Sequence, residues 1–248
     1  MLEDLTRPVV FAHRGASQYA PENTLAAFDL AVTQGADAIE LDVKLSVDGE
    51  AVVIHDQTVD RTTDGHGRVN QLTLTALKQF DAHYRFDAYP GERIPTLDEV
   101  FESAGRRIFI NVELTNYASP HDTLIPVVAE IVRRHQMQER VLFSSFFPRN
   151  LKKMRMLLPE VPVALLASEG IKGAAARSVF FTRISPQIIH PYLSDVDQRF
   201  VTLERKRSRR VHVWTVNEET DLRRMFALGV DGIFTDDPVT ALRIMERR

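Results

Sequence analysis

The chain has no cysteine, which excludes disulfides and thiolate metal sites, so any metal must sit on oxygen or imidazole ligands. Such a donor set favours a hard divalent cation, Mg²⁺ or Ca²⁺. No apolar run approaches the ~18 residues needed to cross a bilayer. Met1–Thr6 carries neither a basic nor an apolar leader region, and no amphipathic anchor is evident, so the expected location is cytoplasmic with no stable membrane anchor. Neither sign of charge dominates: 31 Lys and Arg stand against 34 Asp and Glu, a net −3. Nothing in that balance draws the chain toward nucleic acid. Oligomeric state stays open.

What is present is an alternation of short apolar runs and longer helical patterns. Eight runs read as buried parallel strands: Val9–His13, Ala38–Lys44, Arg107–Glu113, Arg140–Ser145, Val161–Leu166, Gln187–His190, Val211–Val216 and Gly232–Thr235. Helical patterns fall between them, including Thr24–Gln34, Pro126–Arg134, Asn150–Leu158 and Glu218–Ala227. Thr96 and Glu99 have the spacing of a capping box, opening a helix toward Ala104. The expected class is α/β, a (β/α)₈ TIM barrel spanning 1–248 as one domain, with an open doubly wound sheet as the alternative. One stretch breaks the rhythm. After a turn at Ser46–Gly49 and a strand-like run at Ala51–Ile54, residues 56–93 are polar and lack a clean period. They read as a small insertion after the second strand, placed over the barrel mouth.

In barrels the chemistry sits at the C-terminal strand ends, and charged residues collect there. His13-Arg14-Gly15 closes the first run, Glu40 and Asp42 share one face of the second, Glu113 ends the third and His190 the sixth. Burying carboxylates in apolar strands costs free energy unless they are paired or bind metal. The bland reading is a set of structural ion pairs. Recurrence at several strand ends favours a catalytic mouth.

The ordered blocks His13-Arg-Gly-Ala, Pro21-Glu-Asn-Thr24, Glu40-Leu-Asp42, His55-Asp56, Arg61-Thr-Thr-Asp-Gly65, Ile94-Pro-Thr-Leu-Asp-Glu99, Trp214-Thr-Val-Asn217 and Thr235-Asp-Asp-Pro238 resemble those of glycerophosphodiester phosphodiesterases, from about Val9 to Pro238. The resemblance implies a TIM barrel with an insertion after the second strand. It implies Glu40, Asp42 and Glu113 as ligands of a divalent cation, and His13 and His55 as an acid–base pair, His13 the base and His55 the acid or the reverse. Arg14 reads as a phosphate ligand, or else as an ion-pair partner of Glu22. Glu22 and Asn23 are expected to order the metal site. Trp214 either closes over the glycerol end of the substrate or packs in the core. Asn217 reads as a helix cap and Asp236 as a strand stop.

Two positions stand apart. Many members of the resembled family carry Lys where this chain has Thr115, which alternation places on the face of Glu113. His190-Pro191 has no assigned role. The implied reaction is hydrolysis of a small glycerophosphodiester to sn-glycerol 3-phosphate and an alcohol. The rivals are a lysophospholipase D-like lipid phosphodiesterase, with Phe143, Phe146 and Phe147 supplying an apolar mouth, and a barrel that binds phosphodiesters without turnover.

Overall fold

A computed structural model describes residues 8–185 and 187–246. Eight parallel strands close into a barrel: β1 (Val9–His13), β2 (Ala38–Leu45), β4 (Phe109–Leu114), β5 (Val141–Ser145), β6 (Val163–Ala167), β7 (Ile188–Pro191), β8 (Arg210–Val213) and β9 (Gly232–Thr235). They pair in sequence order, and β1 pairs with both β9 and β2 to shut the ring. β3 (Ala51–Val53) is a ninth strand, antiparallel to the C-terminal half of β2 through Val43↔Val53. The doubly wound alternative is thereby removed.

Helices wrap the ring. α1 (Leu25–Thr33) is capped by Thr24, whose hydroxyl accepts from Ala27 N–H, and α3 (Leu97–Ser103) by the full Thr96–Glu99 capping box. α4 (Leu124–Arg134), α5 (Pro148–Leu157), α6 (Gly170–Arg177), α7 (Gln198–Lys206), α8 (Glu219–Leu228) and α9 (Pro238–Glu246) complete the layer. Two apolar clusters fill the space between strands and helices. A third, built on Phe11, Leu142, Ile188 and Phe234, fills the barrel interior, as the fold requires.

Where strand limits differ from the sequence pattern, backbone hydrogen bonds give the reason. The amides of Arg107 and Ile108 turn back to Ala104 O and close α3, so β4 starts only at Phe109. Pro162 has no N–H and Val161 donates to Leu158 O, which delays β6 to Val163. β8 stops at Val213, and beyond it Val216 donates to Phe234 O on β9. The basic run Glu204-Arg-Lys-Arg-Ser-Arg-Arg210 closes α7. Glu204 and Arg209 are both buried and paired at 2.9 Å.

The insertion begins after the β2–β3 hairpin. It holds a bridge between Thr58 and Arg68 and one short helix, α2 (Leu74–Leu77). Val59, Val69, Leu77 and Ala82 pack with Val52, Ile54 and Ile94 into a small core of its own. Buried apolar contact therefore anchors the segment to β3 despite its polar composition.

Candidate active site

The strand ends bring Glu40 and Asp42 of β2 beside Glu113 of β4, with one carboxylate oxygen of each lying within 4.8 Å of the others. The register explains the approach, since Asp42 is paired directly with Glu113. Burial pushes the Glu113 carboxyl up to about 8, with the Asp42 charge adding to the effect. Burial likewise raises Glu40 well above the usual carboxylate range, reinforced by Asp42 and Glu113. Asp42 is held below its ordinary value: burial would raise it, and the charges of Arg14, His55 and Lys44 outweigh that burial. Three converging oxygens, two of them on carboxyls whose ionisation this burial and crowding oppose, form a donor set that a divalent cation fits.

The turn after β1 is shaped for this centre. Arg14 adopts φ 58° and Gly15 φ 85°, left-handed values that cost free energy for any residue but glycine. The Arg14 N–H thereby reaches Glu40 Oε2 at 3.0 Å. A Cβ on Gly15 would lie 2.7 Å from the Ala27 carbonyl carbon of α1, so no side chain fits there. Asn23, also at φ 58°, donates from its amide to Asp42 Oδ2 at 3.0 Å. The Arg14 guanidinium donates to Glu22 at 2.9 Å and lies 3.5 Å from Asp42. The ion pair that the sequence left as an alternative for Arg14 is therefore made.

Each histidine is tethered to a carboxylate through Nδ1. His13 meets Asp236 at 2.7 Å, and His55 meets Asp56 at 2.7 Å. Asp236 is thus more than a strand stop, and Asn217 is not a helix cap. The Asn217 side chain donates to Asp236 Oδ2 at 2.7 Å and accepts the Asp236 N–H at 2.9 Å. Arg61 of the insertion grips both Glu22 oxygens, at 2.6 and 2.8 Å, and donates to Asp56 at 2.7 Å. These salt-bridged hydrogen bonds draw the Asp56 carboxyl far down.

Sequence pattern alone gives Asp236, Arg61, Lys44 and Tyr117 no role at the site. Period-2 spacing does put Lys44 on the face of Glu40 and Asp42, so that signal was available. Lys44 is buried and donates to Thr115 Oγ1 at 2.7 Å. A cation thus stands beside Thr115, carried by the adjoining strand. Tyr117 donates its hydroxyl to Glu113 at 2.8 Å, a contact made by the loop after β4 that no spacing predicts. His66 and His135 pair with acidic neighbours outside the cavity.

His13, Arg14, Glu40, His55, Glu113 and Trp214 line one cavity of about 430 Å³, open at the barrel mouth and walled on its inner side by Leu166, His190 and Phe234. Trp214 is half-buried, donates its indole N–H to His190 O at 2.9 Å and meets Phe146 edge to face. A second, outer groove of about 690 Å³ shares His55, Glu113 and Phe146 with the cavity and adds Asp56, Thr115 and Tyr117. Phe143 lies fully buried in the helix–strand core and contributes nothing to the mouth.

The glycerophosphoryl diester phosphodiesterase family model matches residues 13–240. A glycerophosphodiester phosphodiesterase of Caldanaerobacter subterraneus subsp. tengcongensis is 38% identical over 97% of this chain and 99% of its own. Among solved structures, an Oleispira antarctica phosphodiesterase in complex with the product sn-glycerol-3-phosphate aligns with TM-score 0.90 at 32% identity, over 97% of each chain. A Silicibacter pomeroyi protein described as a glycerophosphoryl diester phosphodiesterase aligns with TM-score 0.88 at 28% identity, over 98% of this chain and 95% of that one.

Proposed function

The chain belongs to the glycerophosphoryl diester phosphodiesterase family, and from that premise we propose that it releases sn-glycerol 3-phosphate and an alcohol from small glycerophosphodiesters, using a divalent cation and two histidines. The observation that carries this reading is the placement of Glu40, Asp42 and Glu113 beside two carboxylate-tethered histidines on one cavity. Family membership removes the binding-only barrel. Of the three phenylalanines that a lysophospholipase D-like reading would place at the mouth, Phe143 lies in the core, while Phe146 lines the cavity.

A Mg²⁺ or Ca²⁺ ion held by Glu40, Asp42 and Glu113 would polarise a phosphoryl oxygen as a Lewis acid. The remaining work falls to the chain. Arg14, tied down by Glu22, offers its free guanidinium edge to the phosphate. Asp236 and Asp56 hold the two imidazoles by Nδ1 and turn Nε2 toward the cavity. His13, the less exposed and nearer to Glu40, takes the proton of the attacking hydroxyl. In this proposal that hydroxyl is the substrate's own, next to the phosphoester, so the attack gains the effective molarity of an intramolecular step and a cyclic phosphate forms first. His55 stands where the cavity meets the outer groove and gives a proton to the departing alcohol, which leaves through that groove. Water, deprotonated by His55, then opens the cyclic phosphate while His13 gives its proton to the leaving ring oxygen, which yields sn-glycerol 3-phosphate and restores both histidines. Glu22 and Asn23 hold Arg14 and Asp42 in place.

The test is a panel of glycerophosphocholine, glycerophosphoethanolamine, glycerophosphoglycerol and a lysophospholipid, each assayed with Mg²⁺, Ca²⁺ or excess EDTA. The expected result is turnover of the first three only, abolished by EDTA, and loss of both activity and cation binding in Glu113→Gln. Full activity in EDTA would overturn the metal assignment. Preferred turnover of the lysophospholipid would overturn the substrate assignment.

A further inference from the structure

His190 lies at the inner wall of the cavity and is fully buried, yet neither of its ring nitrogens has a hydrogen-bond partner among the described residues. A buried polar group left in that state is destabilising, and most such groups in native proteins have a partner. The ring is well fixed by its surroundings. It packs edge-on to Phe234 at 4.8 Å between centroids and tilts against His212 at 5.2 Å. Phe234 in turn stacks on Phe11 at 4.5 Å in the barrel interior. His190 therefore stands where the cavity meets the internal core, remote from solvent, with Leu166 and Trp214 lining the same wall.

The chemistry of that wall selects its ligand. Burial, and next the neighbouring His212, hold His190 well below the usual imidazole range, so the ring is neutral. A neutral imidazole presents one donor and one acceptor, the pairing that a hydroxyl satisfies. A carboxylate or phosphate placed there would lose its water without gaining a cation. The cavity's charged residues Arg14, Glu40 and Glu113 come from the end of β1 and from β2 and β4, across the ring from β7.

We infer that His190 is the specificity-determining residue for the glycerol moiety, its ring hydrogen-bonding the glycerol hydroxyl farther from the phosphate while the phosphate stays at the carboxylate centre. This rests on the proposed glycerophosphodiester reading and adds to it the group that tells glycerol from a smaller or less hydroxylated alcohol. An apolar pocket alone discriminates weakly against a missing hydroxyl. A buried group left unpaired by the wrong substrate discriminates strongly.

The experiment compares a glycerophosphodiester with its analogue lacking only that terminal hydroxyl, in the wild-type holoenzyme and in His190→Phe and His190→Gln. The hydroxyl next to the phosphoester is retained in both substrates. Wild-type kcat/KM should favour the parent by about 100-fold or more. In His190→Phe, which keeps the ring packing, the ratio should collapse toward one through loss on the parent alone. His190→Gln, which keeps a donor and an acceptor, should retain part of it. An equal fall on both substrates would mean a structural role and overturn the inference, as would an unchanged ratio. Inhibition of the wild-type enzyme by sn-glycerol 3-phosphate and by its terminal-deoxy analogue stands independently of whether the variants fold, and equal inhibition would also overturn it. No wild-type turnover of the parent would instead sink the underlying substrate reading, and this inference with it.

Discussion

Asp236 is one residue placed at the end of β9, yet a set of polar contacts converges on it. It accepts from the Asn217 amide and the Ser17 hydroxyl, gives its own N–H to Asn217 Oδ1, and tethers His13 at 2.7 Å. Burial alone would raise its carboxyl, but the hydrogen bond and charge of His13 hold it below the ordinary value. A carboxylate so placed fixes the imidazole's tautomer and stabilises the imidazolium that forms when it takes a proton. Asp236→Asn should therefore lower kcat by about 100-fold or more, with cation affinity little changed. Rate assays paired with cation titration calorimetry check this. An Asn variant as fast as wild type would mean that His13 is oriented by its packing alone. Thr115 makes the complementary point about single residues. Its hydroxyl accepts from Lys44 and donates to Val43 O, so a charge that the sequence appeared to omit at one position enters the same buried pocket from the next strand.

At the level of elements, the insertion is latched to the mouth by Arg61. Its guanidinium bridges Glu22, which follows β1, and Asp56, which follows β3. Paired charged hydrogen bonds of this kind fix geometry more than they add net stability, because the side chain is over a third exposed. The small core around Val59, Val69 and Leu77 holds the body of the segment independently of that latch. Arg61→Ala should thus leave global unfolding nearly unchanged and lower kcat/KM by about 10–100-fold, by loosening the Glu22 and Asp56 carboxylates that hold Arg14 and His55. Hydrogen exchange should rise at Asp56–Thr63 while the amides around α2 stay protected. Exchange rising across the whole of 56–93 would show that the latch, and not the apolar core, holds the insertion.

For the molecule as a whole, the carboxylate centre couples stability to pH and to cation. The Glu113 carboxyl stands at about 8 in the folded protein against an ordinary 4.5. The folded state therefore holds this proton more tightly than the unfolded chain. The contribution is fully present below pH ~4.5 and is lost as pH rises through about 8. Glu40 acts in the same direction. In cation-free protein Tm should accordingly fall between pH 5 and 8 by several degrees, taking ~2–4 °C per kcal/mol for a chain of this size. Added Mg²⁺ or Ca²⁺ should raise Tm most at the upper end of that range, where the carboxylates are ionised. Calorimetric scans at both pH values check this, and a cation effect independent of pH would show that the ion binds elsewhere. The barrel, its eight strands, the β2–β3 hairpin and the cap at Thr96 were legible in the sequence, because apolar periodicity and capping chemistry act over a few neighbouring residues. Glu40, Asp42 and Glu113 were legible as a group for the same reason, as charges in otherwise apolar strands. The partner of His13, the grip of Arg61, the entry of Lys44 and the buried face of His190 were not. Each is a contact between elements far apart in the chain, and only closure of the barrel, with its particular register, brings those side chains within hydrogen-bonding distance.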